Sequence, residues 1–479
     1  MKASLCWPLR LLGSLKRVVF FLCFFPQVCA FATPPLYVQL RTEEANEAFF
    51  DGNYAEALRL IGDCTAWIQS SSNRLQVANR GVDWTVLEGM LLGLRAEILL
   101  AQGESESARS LAQRAAAKLR ARRSYYIRNA ADPRGVFDFW LYEAFIRRVE
   151  GDLYRPIALF DTVLTGQAEK LTRSSQAKAA KGYQDSLRVL EQQASMVLSD
   201  TIAEDSNTTF SSYRANRLAV QVMVRLAMVG LRKPGPVTAE DIADASYLLT
   251  RADERLQNGW AWKTFVNSDG DLRNLRYDDL KKMAEEGAEA AAQKPDITQA
   301  DTVLLKQILW HLLVDYAEIN TALAECKAHM SLLEPGHFLN PDGADADAPG
   351  LFYEQARQML GSHFEPAHPI LRELDFSHAI WFAIQSDAKL LDEKNLGRLV
   401  SYARDCVFLA ERAIQGRQAG LPLSASEYLE WLCLEQKALR NCIAIHEQRE
   451  CLSDEQCDEA KARLQTLQAE INACAAAFH

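Results

Sequence analysis

Histidine is scarce in this chain, 8 in 479 residues, and neither an HExxH nor a CxxC spacing occurs. Those absences remove the commonest helical zinc sites and the zinc ribbons. No phosphate loop, dinucleotide fingerprint, nucleophile elbow or spaced pair of catalytic carboxylates stands out, so no motif points to an enzyme and no cofactor is expected. Alternating β-branched runs are few, which argues against a sheet-rich fold. Past residue 32 no run of 18 apolar residues is found, and no membrane-spanning helix is expected there. The formal charge is −10 and 48% of residues are hydrophobic. Such a chain is too apolar for disorder and too acidic for bulk binding to nucleic acid or anionic membrane.

Acid is also missing from the first 32 residues. Lys2, Arg10, Lys16 and Arg17 precede the apolar run Val18–Ala32, which ends Ala30-Phe31-Ala32. Charged, then apolar, then small-x-small is the order of a secretory signal peptide, with cleavage expected after Ala32. Fifteen apolar residues fall short of the roughly 20 that span a bilayer, although an uncleaved anchor is the alternative. Cys23 and Cys29 follow the bulky Leu22 and Val28, unlike the small residue that precedes a lipid-attachment cysteine. Removing four basic residues takes the charge from −10 to −14. The expected location is exported, periplasmic or secreted.

Eight cysteines remain after residue 32, and five crowd the C-terminus: Cys433, Cys442, Cys451, Cys457 and Cys474. In an exported protein that cluster suggests disulfides before metal. Capping boxes at Ser424/Glu427 and Ser453/Gln456 start two helices there. A hairpin folded about Leu452 brings Cys433 and Cys474 to similar depth and leaves Cys451 and Cys457 beside the turn. Disulfides 433–474 and 451–457 are therefore expected, the larger loop contributing roughly 4 kcal/mol in the chain-entropy account.

Apolar spacing is helical almost throughout, giving about sixteen helices parted by Gly, Pro and Asp/Asn/Ser clusters. "DGNYAEALRL", "AQGESESARSLA" and "EGDLYRPIALF" align on Gly52, Gly103 and Gly151. Ala45, Ala96 and Ala144 lie seven residues before these glycines, and Leu60, Leu111 and Leu159 eight after. Ala57 and Ala108 occupy the position five after, where the third unit has Pro156. Each glycine is expected to close a helix, with small residues letting the pair approach and leucine filling the seam.

This pattern resembles the tetratricopeptide repeat (TPR), with "GNYAEAL" the best match and Trp140 with Ala144 fitting a first helix. The spacings of 51 and 48 residues exceed the usual 34 and imply longer helices and loops. The resemblance covers residues 38 to about 170. Beyond 200, Ala245/Leu249/Ala252 and Ala403/Val407/Ala410 repeat the second-helix spacing, a generic helical region being the alternative. It implies an all-α solenoid of antiparallel helix pairs with a concave face. Divisions are expected near residues 200 and 345, giving repeats over 33–200, a helical region 201–345 and a C-terminal region 346–479. Thr238 is expected to cap the helix after Pro234-Gly235-Pro236.

Several clusters are candidates for binding. Arg120, Arg122, Arg123, Tyr125 and Tyr126 lie in a basic stretch, residues 114–134, that suits an anionic partner. Trp260 and Trp262 are candidates to line a ligand pocket, or to pack on their own domain. Six histidines fall between His311 and His378; Cys326 with His329, and His363 with Glu365 and His368, have donor chemistry without a metal-site spacing. The acidic loops "NSDGDL" and "DGADAD" offer oxygens but no calcium-loop pattern. By fold analogy the expected function is a non-catalytic scaffold binding a protein or peptide in the periplasm or cell envelope. A solute-binding component of an envelope system is the alternative, and a metal-dependent hydrolase a third reading.

Overall fold

A computed structural model describes residues 36–70, 73, 83–128, 133–154, 167–194, 206–233, 235–266, 277–292, 299–333, 349–387, 390, 396–418, 423 and 425–477. The signal segment, Pro156, Leu159, Ser424, both acidic loops and the divisions near 200 and 345 lie outside them.

The described chain is all-α. Its helices are α1 (Leu36–Phe50), α2 (Tyr54–Gln69), α3 (Trp84–Ala101), α4 (Ser105–Arg128), α5 (Pro133–Asp152), α6 (Gln167–Val189), α7 (Ser206–Leu231) and α8 (Ala239–Gln257). There follow α9 (Trp260–Phe265), α10 (Tyr277–Ala292), α11 (Gln299–Leu333), α12 (Pro349–Gly361), α13 (Pro369–Gln385), α14 (Leu396–Gln418), α15 (Ala425–Arg449) and α16 (Asp454–Ala477). A π-helical turn, Leu190–Ala194, extends α6. Consecutive helices pack side by side, most extensively α3 on α4, α7 on α8, α5 on α6, α14 on α15 and α1 on α2. The result is an all-α solenoid. The 35-residue α11, about 50 Å long, departs from simple pairing and receives α7, α8, α10, α12 and α13.

The turn signal of the first two units is a backbone device. Gly52 and Gly103 have φ of 79° and 84°, which an L side chain adopts only at a cost. Gly52 N–H donates to Phe49 O at 3.0 Å and Asn53 N–H to Ala48 O at 2.7 Å; Gly103 and Glu104 repeat this on Leu100 O and Leu99 O at 2.9 Å each. Both helices therefore end in a Schellman motif that satisfies their last carbonyls. Ala45, Ala57, Ala96, Ala108 and Ala144 are each at most 1% exposed, as close helix pairs require.

The third glycine acts differently from expectation. Gly151 lies inside α5 and permits a close crossing: a Cβ on Gly182 of α6 would stand 2.8 Å from the Gly151 Cα.

The expected caps form at Thr238, whose side chain accepts from Asp241 N–H, and at Ser453, which exchanges hydrogen bonds with Gln456. α15 and α16 form the C-terminal hairpin. The disulfides expected within it are absent. Cys433, Cys474, Cys451 and Cys457 are all thiols in the structure, with Cys433 and Cys457 buried as small apolar side chains. One principal core runs from α3 to α16, while α1, α2 and part of α3 form a smaller core of their own.

Candidate functional site

The basic stretch is the second half of α4. Its buried stripe, Ala108, Leu111, Ala112, Ala115, Ala116, Leu119 and Tyr126, follows the three-and-four spacing of an amphipathic helix. Tyr126 therefore belongs to the core and not to a binding edge: it is 8% exposed and stacks on Phe139 at 4.4 Å with rings 7° apart. Tyr125, one position round, is 49% exposed and carries the Arg122 guanidinium 4.9 Å from its ring. Arg122 also pairs with Asp83 at 2.5 Å, the same carboxylate that caps α3. Ile127, which the sequence reading missed, is 61% exposed. Its signal was an isoleucine placed off the apolar stripe.

Arg120 and Arg123 border a small cleft between α4 and α5. The cleft, lined by Ala116, Leu119, Arg120, Glu143, Ile146 and Arg147, holds about 10 Å³, room for one water. Glu143 is 5% exposed, and its Oε2 has no hydrogen-bond partner among the described residues. Arg123 Nε is 3.8 Å and Arg147 is 3.9 Å from the Glu143 carboxylate, too far for strong hydrogen bonds. Burial raises the Glu143 pKa, partly offset by these arginines. Arg123 also lies 5.6 Å from the Trp140 ring. Arg120 is exposed and forms no ion pair among the described residues.

The two tryptophans of α9 are part of the interior packing. Trp262 is 2% exposed and tilts against Tyr316 of α11 at 5.5 Å, which leaves no open ring face for a ligand. Trp260 is half-buried, with its ring 5.9 Å from Phe265.

A second constellation was not read from the sequence. Along α7 and just past its end, Arg217, Arg225 and Arg232 meet acids of three other helices. Arg217 Nε is 3.2 Å from Asp315 of α11. Arg225 donates to both carboxylate oxygens of Asp152 at 2.6 Å. Asp152 also accepts from Tyr183 at 2.8 Å and Arg148 at 3.2 Å. Arg232 grips Glu325 with two bonds, at 3.1 and 2.9 Å, and reaches Glu373 and Ser377 of α13.

This seam has unusual proton affinities. Burial pushes the Glu318 carboxyl up to about 7, with the neighbouring Asp315 adding to the rise and Arg225 and Arg217 opposing it. Burial likewise takes Asp315 to about 6. Arg217 and Arg225 nonetheless keep 21% and 34% side-chain exposure, so solvent reaches the seam. Chemically it offers carboxylates that exchange protons near neutrality. Sequence reasoning missed it because the partners lie some 70 to 140 positions apart and carry no local spacing.

Of the six histidines in the 311–378 window, His311, His363 and His368 come together around Phe50 and Asp51, while His378 stacks on Tyr353 at 4.7 Å. Cys326 donates to Ile242 O at 3.6 Å. Neither the 326/329 pair nor the 363/365/368 set belongs to a metal-binding cluster among the described residues.

No protein-family model matches the chain, and no curated protein matches it.

Proposed function

We propose that the protein is an exported, non-catalytic helical-repeat scaffold of the TPR-like kind, binding a protein partner in the periplasm or cell envelope. The observation carrying this reading is the second half of α4. In a chain of net charge −10, Arg120, Arg122 and Arg123 stand beside Tyr125 and Ile127, which are 49% and 61% exposed. Arginine and tyrosine are the residues that anchor interfaces, and an exposed isoleucine beside them adds apolar area. The basic character selects an acidic face on the partner. The matched Schellman turns and buried small residues of the first two units support a stacked-pair scaffold.

Cross-linking and co-purification from the native envelope, with wild type compared against an Arg120→Gln/Tyr125→Ser double variant, test this reading. Both side chains are exposed, so helical content and melting temperature should be unchanged while the partner is lost. Recovery of the same partner at the same yield by the double variant would reject the α4 surface. Export is tested separately by the intact mass of the protein. A chain beginning near Thr33 is expected, and a cytoplasmic chain retaining Met1 would reject it.

A further inference from the structure

The turn that opens the repeat is also a long-range contact. Phe50 ends α1, yet its ring meets His311 of α11 edge-on at 4.3 Å and Phe364, after α12, at 5.2 Å. The Arg217 guanidinium lies 5.8 Å from the same ring. His368 Nε2 hydrogen bonds to the Phe50 carbonyl at 2.8 Å, a contact spanning 318 positions. A Cβ on Gly52 would stand only 3.0 Å from the His368 ring. His363, stacked on Trp310 at 4.0 Å, points Nε2 at Asp51 from 4.0 Å. The solenoid therefore curves until its later helices touch its first turn. Among the described hydrophobic side chains of α1 and α2, Phe50 is the one that packs on the principal core; Glu43 of α1 adds an exposed ion pair to Arg214 of α7 at 3.1 Å, and Leu58 packs on a smaller cluster with α3, α4 and α5.

The hydrogen bonds assign the proton on His368. Its Nδ1 accepts from Ile370 N–H at 3.3 Å and so caps α13, while Nε2–H donates to Phe50 O. A second proton would turn that cap into a donor aimed at backbone N–H groups, at the positive end of a helix. His311 is equally committed: Nδ1 faces the Tyr213 hydroxyl of α7 at 3.2 Å, and Arg217 and Arg214 of α7 supply the charge around it.

We propose that the α1–α2 turn is a clasp that holds the first hairpin against the later helices, and that acid releases it by protonating His311 and His368. The groups facing these rings favour that sign. Around His311 stand Tyr213, Arg214 and Arg217; Asp315, one turn along α11, is engaged by Arg217. Around His368 stand Arg372 of α13 and His363, and the Phe50 carbonyl is the acceptor that opposes release. His363 faces Asp51 on one side and Lys281 of α10 on the other. Burial lowers His311 well below its ordinary value and His368 to about 4. A group held neutral by the fold stabilises the closed state fully above about pH 6.5, and that stabilisation fades as the pH falls toward 4. The clasp is independent of the α4 surface.

Hydrogen exchange of the full chain at pH 7.5 and 4.5, corrected for intrinsic rates, tests the clasp together with small-angle scattering. Residues 36–69 should exchange faster at pH 4.5, by roughly 70-fold from His368 alone. Residues 396–418 should be unchanged, the radius of gyration should rise, and helical circular dichroism should persist. His311→Phe/His368→Asn keeps an aromatic ring and a capping side chain but cannot titrate and loses the bond to Phe50 O; it should exchange faster than wild type at pH 7.5 and show no further acceleration at pH 4.5. Phe50→Ala should expose the hairpin at both pH values. Equal acceleration in wild type and double variant overturns the proposal, as does uniform acceleration of both segments or loss of helix at pH 4.5. If Phe50→Ala does not fold, the comparison of wild type with the double variant still decides.

Discussion

Gly151 and Gly182 meet backbone to backbone where α5 crosses α6, close enough that a Cβ on Gly182 would lie 2.8 Å from both the Cα and the nitrogen of Gly151. A main-chain neighbour cannot rotate away as a side chain can. Gly182→Ala should therefore destabilise despite the better helix propensity of alanine, by about 1–3 kcal/mol. Thermal unfolding should show a midpoint lowered by roughly 2 °C or more. An unchanged or raised midpoint would mean that the two helices can separate at no cost.

Arg232 and Glu325 are 4% and 0% exposed at their side chains. Glu325→Ala removes two of the charge-assisted bonds on the buried Arg232 and leaves it Glu373 and Ser377, so it should cost about 1.5–3 kcal/mol in denaturant unfolding. The exposed pair Arg59 and Glu56 is the internal control, and its truncation should fall within experimental error.

The seam at Glu318 has its own pH signature. The folded state keeps this carboxyl protonated up to about pH 7, whereas the unfolded chain ionises it near ~4.3. Ionisation thus favours unfolding over the window between, and the wild type loses stability as pH rises from about 4.5 to 7. Glu318→Gln should flatten that slope, gaining up to ~3 kcal/mol relative to wild type at pH 7.5. A difference in unfolding free energy between wild type and variant that is the same at pH 4.5 and 7.5 would contradict the raised pKa. The sign is opposite to that of the histidine clasp, so the two effects are separable.

Glu450, in the turn before α16, has φ of 47°, a conformation that costs an L residue about 1 kcal/mol or more. Glu450→Gly should raise the melting midpoint slightly, the relief exceeding the extra entropy of the unfolded glycine. A lowered midpoint would show that the side chain makes a compensating contact.

The thiols can be counted directly. With each of the eight described cysteines a free thiol, denatured protein should take eight maleimides if the first 32 residues are removed. Native protein should be modified first at the partly exposed Cys451, ahead of Cys474, whose thiol is raised by burial. Cys406 should resist labelling, because burial pushes its thiol far up. Failure of Cys433, Cys474, Cys451 and Cys457 to react even in denaturant would restore the two disulfides.

The helices were legible because their information is local. Periodic apolar residues, the Gly52 and Gly103 turns, and the caps at Thr238 and Ser453 each act within a few positions, and the structure has them where the pattern places them. Half of the α4 surface was legible for the same reason: the basic run was visible, but which tyrosine faced outward was not. Tyr125 and Tyr126 differ only in the side of the helix they occupy, and that side is set by Phe139 of the next helix.

By itself, then, the sequence determined helix content, helix ends and the small residues of each seam, since hydrogen bonding and side-chain periodicity decide these over a turn or two of chain. Only the tertiary structure decided that Trp262 is core, that Gly151 is a crossing point rather than a turn, and that His311, His363 and His368 gather round Phe50. Burial and electrostatics depend on which distant segments meet, and a contact spanning 318 positions leaves no trace in the spacing of neighbours.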